Sequence, residues 1–290
     1  MDETASLDGI RGIHHGAHDI ASVVSASLLE MPQEIFEQII VLCDVRSVCM
    51  LGRTCRLAHA AVGCEHIWRL LFDRDFRHMY GPDLDVLGRV RVDWPPLALD
   101  VVGQQLGRPF DLSVPDPSDD PRIPGPFSRM RAYGKDWRWL YAVHCEPPRG
   151  RRRDGPATMY ACQDTTVFGL HRDTDRCPGT KMYALGDAVG YWITGYGVRL
   201  VRDCQDRVVA WKEGLWEGVR CTSHVLMAGD GRVLCVTHKD LFSGTPAFFH
   251  DSSIGETTWG VLKGRKWTGQ VVRKSAGSDR LRVEPGDCCV

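Results

Sequence analysis

The sequence predicts an α+β protein, in which an N-terminal helical module precedes a mostly-β domain of stacked hairpins. Three observations predict it. Residues 28–80 place apolar side chains at helical spacing between capping residues. Residues 155–290 switch to Val, Thr, Trp and Tyr alternating with glycine-containing turns, as short strands require. Within that second half a glycine spacing recurs, the mark of repeated hairpins. A chain of 290 residues suits about two such domains.

Residues 1–27 carry Gly, His and Ser with weak periodicity and read as a flexible leader, "HHGAH" included. In residues 28–80, Pro32 suits a first helical turn, where its missing N–H costs nothing. Glu34 lies in that same turn, near the positive end of the helix dipole. The helix should run to about Cys43. Asp44 then caps "VRSVCMLG", which Gly52 ends. "RTCRLAHAAVG" is a third helix stopping at Gly63. "EHIWRLLFDRDF" is a fourth, with Ile67, Leu71 and Phe76 spaced for burial beside Trp68.

Residues 81–127 contain "VDWPP" and "VPDPSDDPRIPGP", which cannot continue helices or central strands. They are expected to form a proline-rich linker between independent bodies. Residues 128–146 form a linking helix, "DWRWLYAVH", turning Trp137, Leu140 and Tyr141 toward a core. In residues 155–290 the clearest hairpin is "AGDGRVLCV", because Asp230–Gly231 tolerates a tight two-residue turn.

Composition excludes several functions. The formal net charge is −1, so no global field draws the chain to nucleic acid or an anionic membrane. The basic run Arg149–Arg153 has no interleaved aromatics and reads as a solvated connection. No stretch approaches the ~20 apolar residues of a membrane span. The N-terminus is acidic and lacks an apolar signal core, so the expected place is cytoplasm or nucleus. The 12 cysteines then read as reduced thiols. Without a C-x-x-C pair they indicate no metal site. The tail "GDCCV" has Asp287 where a prenylation signal needs cysteine. No P-loop, G-x-S-x-G, H-E-x-x-H or G-x-G-x-x-G is present. His171, Asp173 and Asp175 in "HRDTD" read as a polar turn. The expectation is a binding protein without catalytic residues or cofactor.

The recurring pattern is G-x-x-x-G-x-x-x-T-G. Gly186, Gly190, Thr194 and Gly195 carry it once, and Gly260, Gly264, Thr268 and Gly269 carry it again 74 positions later. Between them, Trp211, Gly214 and Gly218 give W-x-x-G-x-x-x-G. This resembles a degenerate MORN-repeat array, although Tyr183 stands one residue too far from Gly186 and Ala188 replaces a Trp. The resemblance implies stacked hairpins, each too small to bury its face alone. Gly186, Gly195, Gly214, Gly218, Gly260 and Gly269 are the repeat glycines. Gly195 and Gly269 are assigned equivalent turn positions. Trp192, Trp211, Trp216, Trp259 and Trp267 are either anchors for a partner or apolar filling between hairpins.

Residues 28–76 resemble an F-box. Met31-Pro32-Gln33-Glu34-Ile35 supplies the opening, Ile39-Ile40 the apolar pair, and Asp44-Val45 the acidic-apolar step. Thr54-Cys55-Arg56 supplies the third element and Trp68 the last. Met31 replaces the usual Leu, and the stretch between Leu42 and Cys55 is short. The resemblance implies docking onto the Skp-type adaptor of an SCF-type cullin–RING ubiquitin ligase. The implied adaptor-binding residues are Met31, Pro32, Ile35, Ile39, Ile40, Leu42, Val45 and Val48. An F-box ahead of MORN-like hairpins further resembles F-box/MORN proteins of giant DNA viruses of the pandoravirus type. The expected function is that of a substrate receptor, whose second half holds an unknown target protein. The alternative is a MORN-like scaffold or membrane-associated binding protein without ligase function.

Overall fold

The computed structural model describes residues 31–110, 114–145, 153–163, 180–190, 192–218, 220–228, 231–236, 244–264 and 266–286. The expected leader, "HHGAH", most of the Arg149–Arg153 run, "HRDTD" and the cysteines of the tail lie outside them. The chain divides into two compact units, one ending at Arg74 and one spanning Asp75–Val290.

The first unit contains α1 (Gln33–Leu42), α2 (Val45–Leu51), α3 (Arg56–Val62) and most of α4 (Glu65–Asp75). Each boundary follows from local chemistry. The Asp44 carboxylate accepts from the Ser47 N–H at 2.9 Å and opens α2. The Cys55 sulfur accepts from the Ala58 N–H at 3.4 Å and opens α3. Gly52 and Gly63 close their helices with ordinary right-handed φ of −60° and −70°, so no left-handed cap is involved. Arg74 donates to the Val41 carbonyl and, at 2.7 Å, to the Cys43 carbonyl, satisfying acceptors that the end of α1 leaves open. Phe36, Ile40, Val48, Ala58, Val62, Ile67, Trp68, Leu71 and Phe72 form the buried interior.

The second unit begins earlier than the sequence suggests. Phe76 packs at a tilt against Tyr141 and His144, with ring centroids 5.2 Å apart, so it belongs with the following segment rather than with α4. The linker expectation for residues 81–127 is corrected. Pro82 opens α5 (Pro82–Leu87) and Pro96 opens α6 (Pro96–Leu106), each at the first helical position, where proline is pre-organised. Arg89 gathers the segment by donating to the carbonyls of Ser118, Asp120 and Ile123 at 2.6, 2.8 and 2.9 Å. Ile123 and Phe127 are fully buried. Gly88 and Gly125 allow two backbones to touch, since a Cβ at Gly88 would fall 2.2 Å from the Gly125 Cα. The linking helix is α7 (Trp137–His144), capped by Asp136.

Ten strands follow as one antiparallel meander in chain order: β1 (Arg153–Gln163), β2 (Lys181–Gly190), β3 (Trp192–Arg202), β4 (Val208–Gly218), β5 (Arg220–Ala228), β6 (Arg232–Val236), β7 (Thr245–Asp251), β8 (Glu256–Lys263), β9 (Lys266–Lys274) and β10 (Leu281–Pro285). The α6 helix lies against β8 and β9, and α7 against β1 and β2.

The hairpins β2–β3 and β8–β9 share a register at an offset of 74 positions. Val189 faces Trp192 as Lys263 faces Lys266, Ala188 faces Ile193 as Leu262 faces Trp267, and Leu185 faces Val198 as Trp259 faces Val272. The repeat glycines serve two purposes. Gly190, Gly218 and Gly264 sit at the hairpin tips with φ of 67°, 67° and 65°. Gly186, Gly197 and Gly214 lie side by side across β2–β4, and Gly260 takes the matching place in β8. There a large side chain lies flat on the strand: a Cβ at Gly186 would stand 2.8 Å from Ile193 Cγ2, and one at Gly260 2.9 Å from the Trp267 ring. The turn assignment of Gly195 and Gly269 is corrected, because both lie in the irregular stretch where the second strand carries extra residues. Their φ values are 88° and 68°.

Gly195→Val is therefore expected to cost more than about 1 kcal/mol from backbone strain alone, since nothing lies within 4 Å of the added carbon. Gly269→Val should cost more still. Its Cβ would overlap Gln105 Oε1 at 2.3 Å and displace a side chain that donates to the Gln270 carbonyl at 2.6 Å. Thermal melting of the two variants checks the order.

Buried polar contacts bind residues 75–145 to the sheet. Trp139 Nε1 donates to Asp187 at 2.7 Å, and Lys135 pairs with the same carboxylate. Tyr133 stacks on Tyr196 at 4.8 Å. The deepest contact joins Arg129 and Glu213, 2% and 1% exposed. The Glu213 carboxylate accepts from the Arg129 N–H at 2.9 Å, the guanidinium at 3.1 Å and the Tyr196 hydroxyl at 2.7 Å. Burial pushes the Glu213 carboxyl upward, while Arg129 and Tyr196 pull it back.

Candidate functional site

Helix α1 has more apolar surface than its unit buries. Phe36 and Ile40 point inward and are 7% and 1% exposed. Ile35, Ile39 and Leu42 stand at i, i+4 and i+7, a second stripe on the same helix. Ile35 is 44% exposed, Ile39 half-buried and Leu42 85% exposed. Met50 on α2 and Leu57 on α3 add further exposed apolar side chains within this unit.

The eight sequence-predicted docking residues thus separate. Pro32, Ile35 and Leu42 are exposed, and Met31, Ile39 and Val45 are half-buried. Ile40 and Val48 are corrected from docking positions to interior ones, because both are essentially inaccessible. Sequence reasoning did not single out the exposed Met50 and Leu57. Each is an apolar residue off the buried face of its helix, but seven-residue helices are too short for periodicity to assign a face.

A groove of about 310 Å³ opens elsewhere in this unit, lined by Met31, Phe36, Glu37, Ala60, Ala61 and Ile67 among others. Arg69 meets His66 Nδ1 at 2.6 Å, and arginine only donates, so Nδ1 accepts. The His66 Nε2–H then donates to Glu37 at 2.9 Å. A hydrogen bond from Gln33, joined by His66, holds the Glu37 carboxyl below its ordinary range.

In the second unit the tryptophans fill space between strands and layers. Trp211, Trp216, Trp259 and Trp267 are all buried, and Trp192 alone of the five is exposed, at 53%. Trp216 Nε1 donates to the Gly197 carbonyl at 2.9 Å, and Trp259 Nε1 to the Asp93 carbonyl at 2.7 Å. A cleft of about 670 Å³ runs between residues 90–95 and the strands β7–β10, with Trp94, His250, Thr257, Lys274 and Asp279 on its walls. His250 Nδ1 and Thr257 Oγ1 are 2.9 Å apart, and burial pushes the His250 pKa down. Among the described residues no group of three or more His, Cys, Asp or Glu is placed to hold a metal ion, and no helix is long and apolar enough to cross a membrane. Compared with known proteins, the chain matches no family model and no curated sequence.

Proposed function

We propose that the chain is an F-box-type substrate receptor, recruiting a target protein to an SCF-type cullin–RING ubiquitin ligase through a Skp-type adaptor. The observation that supports this reading is the second apolar stripe of α1. Ile35, Ile39 and Leu42 stand outside an interior that Phe36 and Ile40 already complete. Apolar surface left over on so small a helical unit serves a partner. The opening Met31-Pro32-Gln33-Glu34-Ile35 sets this stripe in the sequence context of an F-box. The second unit, with its own core, would hold the target, and its cleft beside β7–β10 is the concave surface for that contact.

Leu42→Asp and Ile35→Asp test the adaptor contact without opening the interior, because both side chains already face outward. A charge stranded in a desolvated apolar contact costs about 2 kcal/mol or more, which is about thirtyfold in affinity. Copurification with a Skp-type adaptor should be lost in both, with the helical circular dichroism unchanged. Adaptor binding at the parental level in both variants would overturn the reading.

One observation favours the alternative of a MORN-like scaffold or membrane-associated protein. Four of the five candidate tryptophan anchors are buried and offer nothing to a target. Flotation with liposomes separates the two readings, since a ligase receptor needs no lipid.

A further inference from the structure

The strand β10 ends the meander, and among the described residues no strand pairs with its outer side. Its inner side faces β9, with Val283 opposite Val272 and Pro285 opposite Gln270. The ladder continues one residue further, where the Gly286 N–H donates to the Gly269 carbonyl at 2.7 Å. In an antiparallel ladder, successive residues turn their backbone groups alternately to one neighbour and to the other. Arg282 and Glu284, in phase with Gly286, therefore bond toward β9. Leu281 and Val283 turn both N–H and C=O outward, and Pro285 turns out a carbonyl. Such an edge is a template for another strand unless the sequence blocks it.

Leu281-Arg282-Val283-Glu284-Pro285 does not block a strand of its own kind. We infer that β10 pairs antiparallel with β10 of a second copy of this chain, about a two-fold axis at Val283, joining two sheets into one. Around that axis the two Val283 residues exchange N–H and C=O. Each Leu281 N–H meets the Pro285 carbonyl of the other copy, so the proline supplies an acceptor where it lacks a donor. Arg282 of each copy stands directly opposite Glu284 of the other, in the closer-spaced kind of pair. The charges select this register. A parallel copy in register would set arginine against arginine. Among the described residues the Arg282 side chain has no ion pair of its own. Glu284 reaches Arg273 at 3.6 Å and keeps 40% of its side chain exposed. Val283 is 43% exposed, an apolar residue at the centre of an open edge. A two-fold contact in which one patch meets itself is the commonest form of closed dimer.

Sedimentation velocity on the full chain across the micromolar range should show a reversible monomer–dimer equilibrium. Arg282→Glu and Glu284→Arg should each weaken it by about tenfold or more, because like charges replace opposite ones twice across the axis. A mixture of those two variants should dimerise again, since each then presents the charge that the other lacks. Val283→Pro should also dissociate the dimer: it removes an outward N–H at an edge position that tolerates proline within its own sheet. A chain that stays monomeric, a dimer that survives Val283→Pro, or an Arg282→Glu variant that dimerises like the parent would overturn the inference. If the charge variants do not fold, Val283→Pro decides alone.

Discussion

Arg129→Leu is expected to lower the stability of the second unit by about 3–5 kcal/mol. The substitution leaves the Glu213 carboxylate buried with its counter-ion gone. It also removes donors from the carbonyls of Pro115 and Val90, which the guanidinium reaches at 2.9 and 2.8 Å. Glu213→Leu should cost a similar amount, because it leaves a buried cation without its carboxylate. The double replacement should cost less than the sum of the two, since neither charge remains unpaired. It should not recover the parent's stability, because the carbonyls stay unsatisfied. Urea unfolding followed by tryptophan fluorescence checks this, as every tryptophan except Trp68 lies beyond Arg74. Additive losses would mean that the ion pair contributes nothing beyond its separate members.

Acid is expected to weaken the same unit well above the pH at which carboxylates titrate. His144 is buried. Its Nδ1–H donates to the Leu140 carbonyl at 2.7 Å, and its Nε2 accepts from the Tyr80 hydroxyl at 2.6 Å. Both ring nitrogens are engaged in the neutral form, and a second ring proton would have to displace the tyrosine. Burial, with the charge of nearby Arg202 adding to it, pushes the pKa from 6.5 down to about 3. The unfolded chain therefore takes up the proton first. Stability falls as pH drops through 6.5, and this fall ends near 3. Between pH 7 and pH 5 the loss is about 2 kcal/mol. Tyr80 faces the ring with its own pKa raised by burial, so it stays neutral throughout this window. His250, also pushed down, adds a smaller loss of the same sign. His144→Gln should flatten the dependence of unfolding free energy on pH over this window, whatever it does to stability at neutral pH. An unchanged slope would mean that some other group carries the acid sensitivity.

The helices of the first unit were legible because their signals are local. Asp44 reaches only to Ser47; the start of α3 was the exception, because the expected helix began at Arg53 and the Cys55 sulfur is the cap. The hairpin tips were not legible: the glycine spacing was visible, but it assigned the turns to Gly195 and Gly269, whereas Gly190, Gly218 and Gly264 occupy the tips. The outward face of α1 was only half legible. Helical spacing identifies Ile35, Phe36, Ile39, Ile40 and Leu42 as apolar, but it assigns neither stripe to the interior.

What the sequence determined by itself is the α+β order, the four N-terminal helices with the Asp44 cap and the closing Gly52 and Gly63, and the repeating glycine spacing. All three rest on capping groups, φ preferences and apolar periods that operate over a few residues. What only the tertiary structure decided is which of those residues are buried and what the prolines do. Pro96 reads as a break until α6 is seen to begin on it. The tryptophans read as either anchors or filling until strands and the 90–95 segment are seen to close over four of the five. The contacts responsible join distant parts of the chain: Trp259 meets Asp93 across 166 positions, and Arg129 meets Glu213 across 84. Burial depends on what packs above a side chain, and no window of neighbouring residues contains that partner.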